Sequence, residues 1–283
     1  MKKLTLPVLL LAALVAVGCG SSSDSTDTSA SASAADCKPG QLPTSKDGVL
    51  TIATDKPAYP PYFEDDDPTN GEGFESAVAY AIADQLGYPK AKVNWTVEAF
   101  NSSFAPGPKD FDFDVNQISI TPKRAEQVDF STPYYEADQA IVALKDSDAA
   151  SAESLEELKD AQLGVQIGTT SLEAAEEEID PSSRPEVFNT SNDVVQALKN
   201  GQIDAVVVDL PTALYLTAVQ VPEATVVGQF SAPGGDQWGA LLEKDSELTA
   251  CVSAAVEELE SSGELEEITQ RWMSKAAGAP ELS

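Results

Sequence analysis

Arg124 is the residue in this sequence best suited to binding a carboxylate. It follows Thr121 and Pro122, which favour a helix start because threonine caps the first turn and proline fits the first helical position. A guanidinium group matches both oxygens of a carboxylate, which a lysine ammonium cannot do. The plainer alternative is a surface arginine that pairs with Glu126 or Asp129. Chemistry alone leaves both interpretations open.

Asp209 and two threonines could supply the other polar groups of such a site. Asp209 ends the apolar run 203–208, and the carboxyl ends of strands in open α/β sheets are where ligands bind. Its carboxylate could pair with an ammonium group. Thr169 and Thr170 stand between a predicted strand and a predicted helix, where their N–H and hydroxyl groups could contact a carboxylate. Helix capping is the alternative for all three residues.

Composition excludes several other classes of function. The 283 residues include 17 Lys and Arg against 47 Asp and Glu, a net charge of −30, which disfavours nucleic-acid partners. There is no histidine, so His-based catalytic triads and His-based metal sites are excluded. No phosphate-binding glycine loop occurs and no nucleophile–base pair stands out. We therefore expect no cofactor, no metal, no nucleic-acid partner and no enzymatic activity.

The N-terminus has the features of a targeting segment. Two lysines precede an apolar stretch at residues 4–17, too short to span a membrane, and small residues lead directly to Cys19. This arrangement resembles a bacterial lipoprotein signal, with 1–18 as the signal peptide and 19–45 as lipid anchor and flexible tether. That resemblance implies a protein held at the outer face of the cell membrane by a lipid on Cys19. Ordinary secretion, with a cysteine nearby by chance, is the alternative.

Two further cysteines are expected to pair. Cys37 and Cys251 would lie in an oxidising compartment, where two such residues favour a disulfide. It would join the start of the folded part to a helix near the C-terminus. Two buried free thiols are the alternative.

Strands and helices alternate along the rest of the chain. This alternation predicts α/β units with largely parallel sheets. A phenylalanine, a valine, an isoleucine and a leucine recur one turn apart after Gly73, and Ser154 to Glu157 has the spacing of a capping box. Strands are predicted at 49–54, 93–97, 111–120, 139–144, 163–167, 203–208 and 237–241, and helices after residues 73, 121, 154 and 170 and at 193–199, 211–219, 248–259 and 265–272.

Several passages resemble family 3 of the bacterial extracellular solute-binding proteins, the amino-acid receptors of ABC importers. The most specific is ISITPKRAEQVDFS at 118–131, which is followed closely by a Pro-Tyr-Tyr sequence. GVQIGTT at 164–170 and NGQIDAVVVD at 200–209 are the others, with a weaker match over 54–62. Their order and spacing agree with the family, and the resemblance covers about 49–273.

The resemblance implies an α/β fold of the two-lobed periplasmic-binding-protein type II, with a ligand cleft between lobes joined by a two-stranded hinge. The first lobe would comprise 46–138 and 232–275, the second 139–231, and 276–283 would form a tail. The protein would be a monomeric receptor that binds a polar or charged L-amino acid and delivers it to an ABC permease and its ATPase. A sensory lipoprotein for an amino-acid derivative and a dehydratase-like enzyme on the same fold are the alternatives.

The resemblance also assigns roles in the cleft. Arg124 would bind the ligand carboxylate and Asp209 its ammonium, while aromatic residues would wall the pocket. The departures from the family pattern include an aspartate at position 114 and polar residues at 116 and 117. With Asp55, Asp114 suggests a polar or cationic ligand side chain. The expected ligand-binding residues are Asp55, Tyr59, Tyr62, Phe100, Asn116, Gln117, Ile118, Ser119, Arg124, Thr169, Thr170 and Asp209.

Overall fold

The computed structural model describes residues 37–38, 40–232, 234–273 and 279–283. The signal peptide, the lipidation site Cys19 and most of the tether therefore lie outside the described residues. Within the described part, no helix is both long enough and apolar enough to cross a membrane.

Ten strands form two five-stranded sheets. In chain order they are β1 (Leu50–Thr54), β2 (Val93–Val97), β3 (Phe113–Asp114), β4 (Val128–Ala137), β5 (Gln139–Leu144), β6 (Leu163–Gln166), β7 (Glu186–Phe188), β8 (Ala205–Asp209), β9 (Ala224–Phe230) and β10 (Asp236–Glu243). The first sheet has the order β2-β1-β3-β10-β4 and the second β7-β6-β8-β5-β9. The run predicted as a strand covered on both faces is β8, at the centre of the second sheet.

Both sheets are mixed, so the prediction of largely parallel sheets was wrong. In the first sheet β1 is parallel to β2 and β3, but β10 is antiparallel to β3 and β4. In the second, β6 is parallel to β7 and β8, but β5 is antiparallel to β8 and β9. A parallel connection needs a crossover of about a dozen residues or more. β5 and β10 instead enter their sheets directly from the other sheet, and they run antiparallel to their neighbours there.

The two sheets form two lobes joined by a two-stranded hinge. Lobe one contains β1 to β4 and β10, and lobe two contains β5 to β9. The chain passes from lobe one to lobe two at Asp138, between β4 and β5, and returns between the end of β9 at Phe230 and the start of β10 at Asp236. The fold is therefore α/β with two lobes, and the cleft lies where they face each other.

The helices cover the sheets and follow the predicted capping signals in part. They are α1 (Phe74–Gln85), α2 (Phe100–Ser103), α3 (Pro122–Ala125), α4 (Thr170–Ala174), α5 (Ser191–Lys199), α6 (Leu210–Tyr215), α7 (Thr249–Ser262) and α8 (Glu264–Met273). Helices α4 and α6 each continue into a five-residue π-helical segment, Ala175–Ile179 and Leu216–Gln220. The predicted cap of α3 is confirmed, because the Thr121 hydroxyl accepts the backbone N–H of Arg124 at 3.2 Å.

Some local predictions were wrong, and one of them concerns a turn at the cleft. The strand predicted at 111–120 is only Phe113–Asp114, because Gln117 adopts a left-handed conformation with φ of 49° and turns the chain. The capping box predicted at residue 154 is absent, and a short 3₁₀ turn at Glu156–Leu158 has no side-chain cap. The sequence reading also missed β4, β7 and β9.

Separate apolar cores stabilise the lobes. The core of lobe one lies between its sheet, α1 and α7, where Phe74, Val78 and Ile82 of α1 are fully buried, as their spacing predicted. Lobe two has an apolar cluster on each face of its sheet. A smaller cluster in lobe one includes Ile118 and packs against Phe100 and Phe104. That cluster lies beneath the functional residues described below.

Cys37 and Cys251 form the expected disulfide, with 5.5 Å between their Cα atoms. Cys251 lies in α7, so the bridge attaches the first described residue to lobe one. At the other end of the chain, the C-terminal residues lie on lobe two: Leu282 is buried there, and Gln229 of β9 bonds to the backbone of residues 280 and 282.

Candidate ligand-binding site

A cavity of about 580 Å³ opens between the two lobes. Lobe one contributes the loop that follows β1, the start of α2 and the turn at Gln117. Lobe two contributes the starts of α4, α5 and α6. The expected ligand-binding residues that line the cavity are Asp55, Tyr59, Phe100, Asn116, Gln117, Ser119, Thr169, Thr170 and Asp209.

Arg124 lies behind the cavity wall and joins the two lobes. It is 7% exposed, and its two terminal nitrogens donate to the carbonyls of Ser119 in lobe one, at 2.7 Å, and Gly168 in lobe two, at 2.9 Å. Its guanidinium carbon is 4.7 Å from the centre of the Phe104 ring and 5.5 Å from that of Phe100. These contacts hold a cation against aromatic faces at the closed edge of the cleft.

The alternative of a surface ion pair does not hold for Arg124. Of the two partners proposed for it, Glu126 and Asp129, Asp129 binds Lys244 at 3.1 Å instead, and the terminal nitrogens of Arg124 bond to backbone carbonyls. Burial is also the main reason that the pKa of Arg124 is lowered from its ordinary value, and nearby carboxylates oppose that shift. Arg124 is therefore a buried cation directly behind the cavity wall, with its charge held next to the cleft.

Asp209 belongs to a pair of carboxylates bridged by one amide. The Nε2 group of Gln139 donates at 2.6 Å to both Asp209 and Asp236. Desolvation is the largest cause, and repulsion from Asp236 the second, of a pKa of Asp209 well above its usual range. Asp209 occupies the N-cap position of α6, but its side chain makes no capping bond. The Asp209 carboxylate therefore faces the cleft and does not cap the helix.

Hydroxyl groups connect that carboxylate pair to both lobes. The Thr170 hydroxyl of lobe two donates to Asp236 at 3.0 Å and lies 3.2 Å from the Ser119 hydroxyl of lobe one. Thr169 makes no capping bond, and its hydroxyl donates to the Gln166 carbonyl at 2.8 Å. Thr170 and Ser119 consequently mark one of the points where the lobes touch beside the cavity.

The aromatic residues expected to wall the pocket behave differently from one another. Tyr59 lines the cavity, and its hydroxyl reaches across to Asn192 of lobe two at 2.5 Å. Phe100 lines the cavity next to Arg124. Tyr62 does not line it: this side chain is 2% exposed, packs edge-on against Trp238 and bonds to the Thr212 hydroxyl at 2.8 Å. Tyr62 therefore supports the site from behind.

Asp55 presents a carboxylate to the cavity from the end of β1. It accepts the backbone N–H of Lys56 at 2.6 Å and that of Phe100 at 3.2 Å. Those bonds fix the carboxylate at the wall, where an ionic partner in the cavity can reach it. Lys56 also lines the cavity, and its ammonium lies 3.4 Å from the Asp66 carboxylate.

Ile118 and Asp114 are buried and do not line the cavity. Ile118 is in the small apolar cluster, and its carbonyl accepts the backbone N–H of Gly239 at 3.1 Å. Asp114 is fully buried with no hydrogen-bond partner for either oxygen among the described residues. Desolvation raises its pKa well above the usual range, and repulsion from Glu75 adds to the shift. Asp114 therefore does not face the cavity, where it was expected to meet a ligand side chain.

Sequence reasoning missed Glu75, a fully buried residue of α1. One oxygen accepts the backbone N–H of Gln117 at 2.6 Å and the Tyr134 hydroxyl at 2.5 Å, and the other accepts the side-chain Nε2 of Gln117. Burial raises the pKa of Glu75 to about 7, although these three donors oppose the shift. Gln139 and Asp236 were missed as well. The sequence does contain one indication of Glu75: it follows Phe74, which lies on the apolar face of the predicted helix.

The buried Glu75 carboxyl is expected to make the unliganded protein more stable in mild acid than at neutral pH. Its folded pKa of about 7 exceeds its ordinary value of 4.5, so its stabilising effect is complete below pH 4.5 and is lost as the pH rises through 7. A shift of this size corresponds to about 3 kcal/mol. Denaturant unfolding between pH 4.5 and 8 measures the pH dependence of stability, and Glu75→Gln should reduce it by the Glu75 contribution while leaving those of Asp114 and Asp209.

The control for that prediction is Glu72→Gln, which removes an exposed carboxylate three positions away. The pH dependence of its unfolding free energy should match that of the unmodified protein. If Glu75→Gln had the same pH dependence as Glu72→Gln, the prediction would be wrong.

The described residues contain no group of three or more Cys, Asp or Glu side chains placed to hold a metal ion. Two α/β lobes, a two-stranded hinge and a polar cavity between the lobes define a two-lobed solute-binding protein. Residues 50–275 match the profile of the bacterial extracellular solute-binding proteins, family 3. The chain belongs to this family.

Relatives and solved structures agree with that placement. The arginine-binding extracellular protein ArtP of Bacillus subtilis is 32% identical over 216 residues, covering 74% of this chain and 81% of ArtP. A solved ancestral arginine-binding protein bound to glutamine is 33% identical with a TM-score of 0.66, covering 79% of this chain and 97% of that protein. The ancestral amino acid-binding protein AncCDT-1, a precursor of cyclohexadienyl dehydratase, is 30% identical with a TM-score of 0.64, over 79% and 94% of the two chains.

Proposed function

We propose that this chain is the receptor of an ABC importer and that its ligand is a cationic L-amino acid, with L-arginine as the first candidate. The observation that carries the proposal is the charge of the cleft. Asp55 and Asp209 both line the cavity, as does Lys56. The Lys56 ammonium pairs with Asp66, and the Arg124 guanidinium lies behind the cavity wall. A zwitterion would use one carboxylate and the guanidinium, which leaves a second carboxylate for a cationic side chain.

The geometry suggests which residue of the cleft would bind the ammonium, the carboxylate and the side chain of the ligand. Asp209 faces Asp236 across a shared amide, so an ammonium between them would relieve their repulsion. Arg124 would take the α-carboxylate, assisted by the hydroxyls of Ser119 and Thr170. Asp55 lies at the wall next to Phe100, where a guanidinium could pair with the carboxylate and stack on the ring. The names of ArtP and of the ancestral arginine-binding protein support this ligand class.

In this function the cleft binds an amino acid and does not convert it to a product. The cavity lining combines carboxylates, amides and hydroxyls that contact one another, an arrangement suited to gripping a polar ligand. The likeness to AncCDT-1 makes a dehydratase the alternative to test. Product analysis after incubation with candidate amino acids and cyclohexadienyl acids separates the two functions.

The proposed function also includes attachment to the membrane and interaction with an importer. We propose that Cys19 carries a lipid, that residues up to 45 form a tether at the outer face of the membrane, and that the monomeric receptor delivers its ligand to a permease and its ATPase. The N-terminal sequence before Cys19 supports the anchor. Mass spectrometry of the mature N-terminus checks it, since a lipid on Cys19 adds a defined mass.

Asp55→Asn is expected to weaken arginine binding about 30-fold while changing glutamine binding less than about threefold. The substitution keeps the size and removes only the charge, and only arginine offers a cationic side chain to that carboxylate. Isothermal titration calorimetry with both ligands measures the two ratios.

Asp84→Asn is the matched control, because Asp84 is an exposed carboxylate on α1 of the same lobe. It should leave both affinities unchanged. Equal losses for arginine and glutamine in Asp55→Asn would show that Asp55 does not read the side-chain charge. Absence of binding by any amino acid to the folded protein would reject the ligand class itself.

A further inference from the structure

Glu75 lies directly behind the cavity wall and holds Gln117, a residue of that wall, at two points. One Glu75 oxygen accepts the backbone N–H of Gln117, and the other accepts its side-chain Nε2. The backbone bond supports the left-handed conformation of Gln117, whose φ is 49°. The carboxylate therefore fixes both the path of the chain and the direction of the side chain at this point.

The chemistry of the carboxylate decides which end of the amide it can hold. An ionised carboxylate only accepts hydrogen bonds, so it must face the NH₂ end of the Gln117 amide. The amide oxygen of Gln117 is then the end left for the cavity. It has no hydrogen-bond partner among the described residues, and Gln117 lines the cavity.

We propose that Glu75 is a positioning residue that sets the hydrogen-bonding character of Gln117 in the cleft, making it an acceptor toward the ligand when Glu75 is ionised and a donor when Glu75 is protonated. An acceptor at this point favours ligands whose side chains carry only donors, such as a guanidinium. The inference rests on the proposed function, because it concerns how that cleft selects a cationic side chain.

Protonation has one available position. The Glu75 oxygen that faces the Gln117 backbone already accepts two donors, the Gln117 N–H and the Tyr134 hydroxyl. The proton must therefore sit on the other oxygen, which faces the amide. That O–H donates to the amide oxygen once the amide turns over, and the NH₂ group then faces the cavity. Because burial raises the pKa of Glu75 to about 7, both forms are populated near neutral pH.

The groups around Glu75 do not offer it a cation. Tyr134 of β4 donates a hydrogen bond to it, and Glu75 in turn raises the pKa of Asp114 of β3. Glu75 also raises the pKa of Tyr62, in the loop after β1, and that of Asp209 at the end of β8. Titration of Glu75 is thus governed by burial and by the hydrogen bonds from Gln117 and Tyr134.

The test compares L-arginine with L-citrulline, which has the same length and shape but a neutral urea with its own acceptor. Calorimetry between pH 6 and 8 gives the ratio of the two association constants. Both ligands carry the same α-amino and α-carboxyl groups, so titration of Asp209 cancels in the ratio. The ratio is expected to rise about tenfold in favour of arginine as the pH increases, the worth of one charge-assisted hydrogen bond.

Three variants and one control variant locate the origin of that change. In Glu75→Gln the ratio should no longer depend on pH, whereas Glu72→Gln, the exposed control, should behave like the unmodified protein. In Tyr134→Phe the change should move to higher pH, because the lost hydroxyl no longer stabilises the ionised carboxylate. In Gln117→Met the carboxylate remains but the amide is gone, so the pH dependence should vanish.

A ratio that still changes about tenfold in Glu75→Gln or in Gln117→Met would overturn the inference, because then neither the carboxylate nor the amide is responsible. If neither ligand binds at any pH, the proposed ligand class fails, and NMR of the unliganded protein decides this inference separately. The side-chain NH₂ signals of Gln117 should titrate with a midpoint near the Glu75 pKa of about 7 and should not titrate in Glu75→Gln. Signals that do not change with pH in the unmodified protein would reject the pairing.

Discussion

Asp209→Asn is expected to weaken amino-acid binding by about 100-fold or more at neutral pH. Removing one partner of a buried charge pair costs about 2 to 5 kcal/mol, because the ligand's ammonium is left desolvated without a counter-charge. The bridge from Gln139 to Asp236 can survive in this variant, since Asn keeps an oxygen where the Asp209 carboxylate accepts that bond at 2.6 Å. The loss should therefore appear in affinity, measured by calorimetry, and not in the fold.

The same substitution is expected to stabilise the unliganded protein at neutral pH. The pKa of Asp209 is raised by burial and then by Asp236, so its stabilising effect is present below its unfolded pKa and is lost as pH rises through the folded value. The amide that replaces the carboxyl group does not ionise, so the variant does not lose this stability as the pH rises. Denaturant unfolding without ligand should show Asp209→Asn to be at least as stable as the unmodified protein at pH 7.

This prediction is specific because Asp209→Asn should lower the affinity for the ligand while raising the stability of the unliganded protein. Asp146→Asn removes an exposed carboxylate of the same lobe and should change neither quantity. A variant at position 209 that bound its ligand normally would remove Asp209 from the proposed site. One that lost binding together with stability would mean that Asp209 is a structural residue whose removal damages the lobe.

The sequence predicted the architecture, and most of the residues it proposed for the site line the cavity, because those features have local signals. Thr121 followed by Pro122 marks the start of α3, and the apolar run before Asp209 marks a central strand. Both motifs place polar residues at strand ends or helix starts, which meet at the cleft. The resemblance to a family extended these local signals to the two-lobed fold.

The remaining features depend on distant contacts that no local pattern reports. Gln139 and Asp236 meet Asp209 only because β5 and β10, which follow the two hinge crossings, both begin beside the end of β8. Glu75 interacts with Gln117 across 42 positions of sequence, and the bend at Gln117 is what ended the predicted strand early. Arg124 was expected at the pocket surface but contacts a carbonyl of lobe two, a contact that exists only when the lobes face each other.

Removing the disulfide is expected to have the largest effect on the stability of the protein. Cys37 and Cys251 are separated by 214 positions, so the bridge closes a long loop in the unfolded chain. In the chain-entropy description, such a loop is worth about 5 kcal/mol, and measured losses are commonly 2 to 5 kcal/mol. For a chain of this size, the Cys37→Ser, Cys251→Ser double variant should unfold about 10 °C lower, as measured by calorimetry.

Ligand binding distinguishes this loss from general damage. The bridge joins the N-terminal end of the described chain to α7 in the core of lobe one, and neither cysteine lines the cavity. The double variant should therefore keep its affinity for the ligand at a temperature where it is folded. The unmodified protein treated with a reductant should unfold at the same lowered temperature as the variant. An unchanged midpoint in both would mean that contacts within lobe one already hold the two ends together, and that the bridge adds no stability.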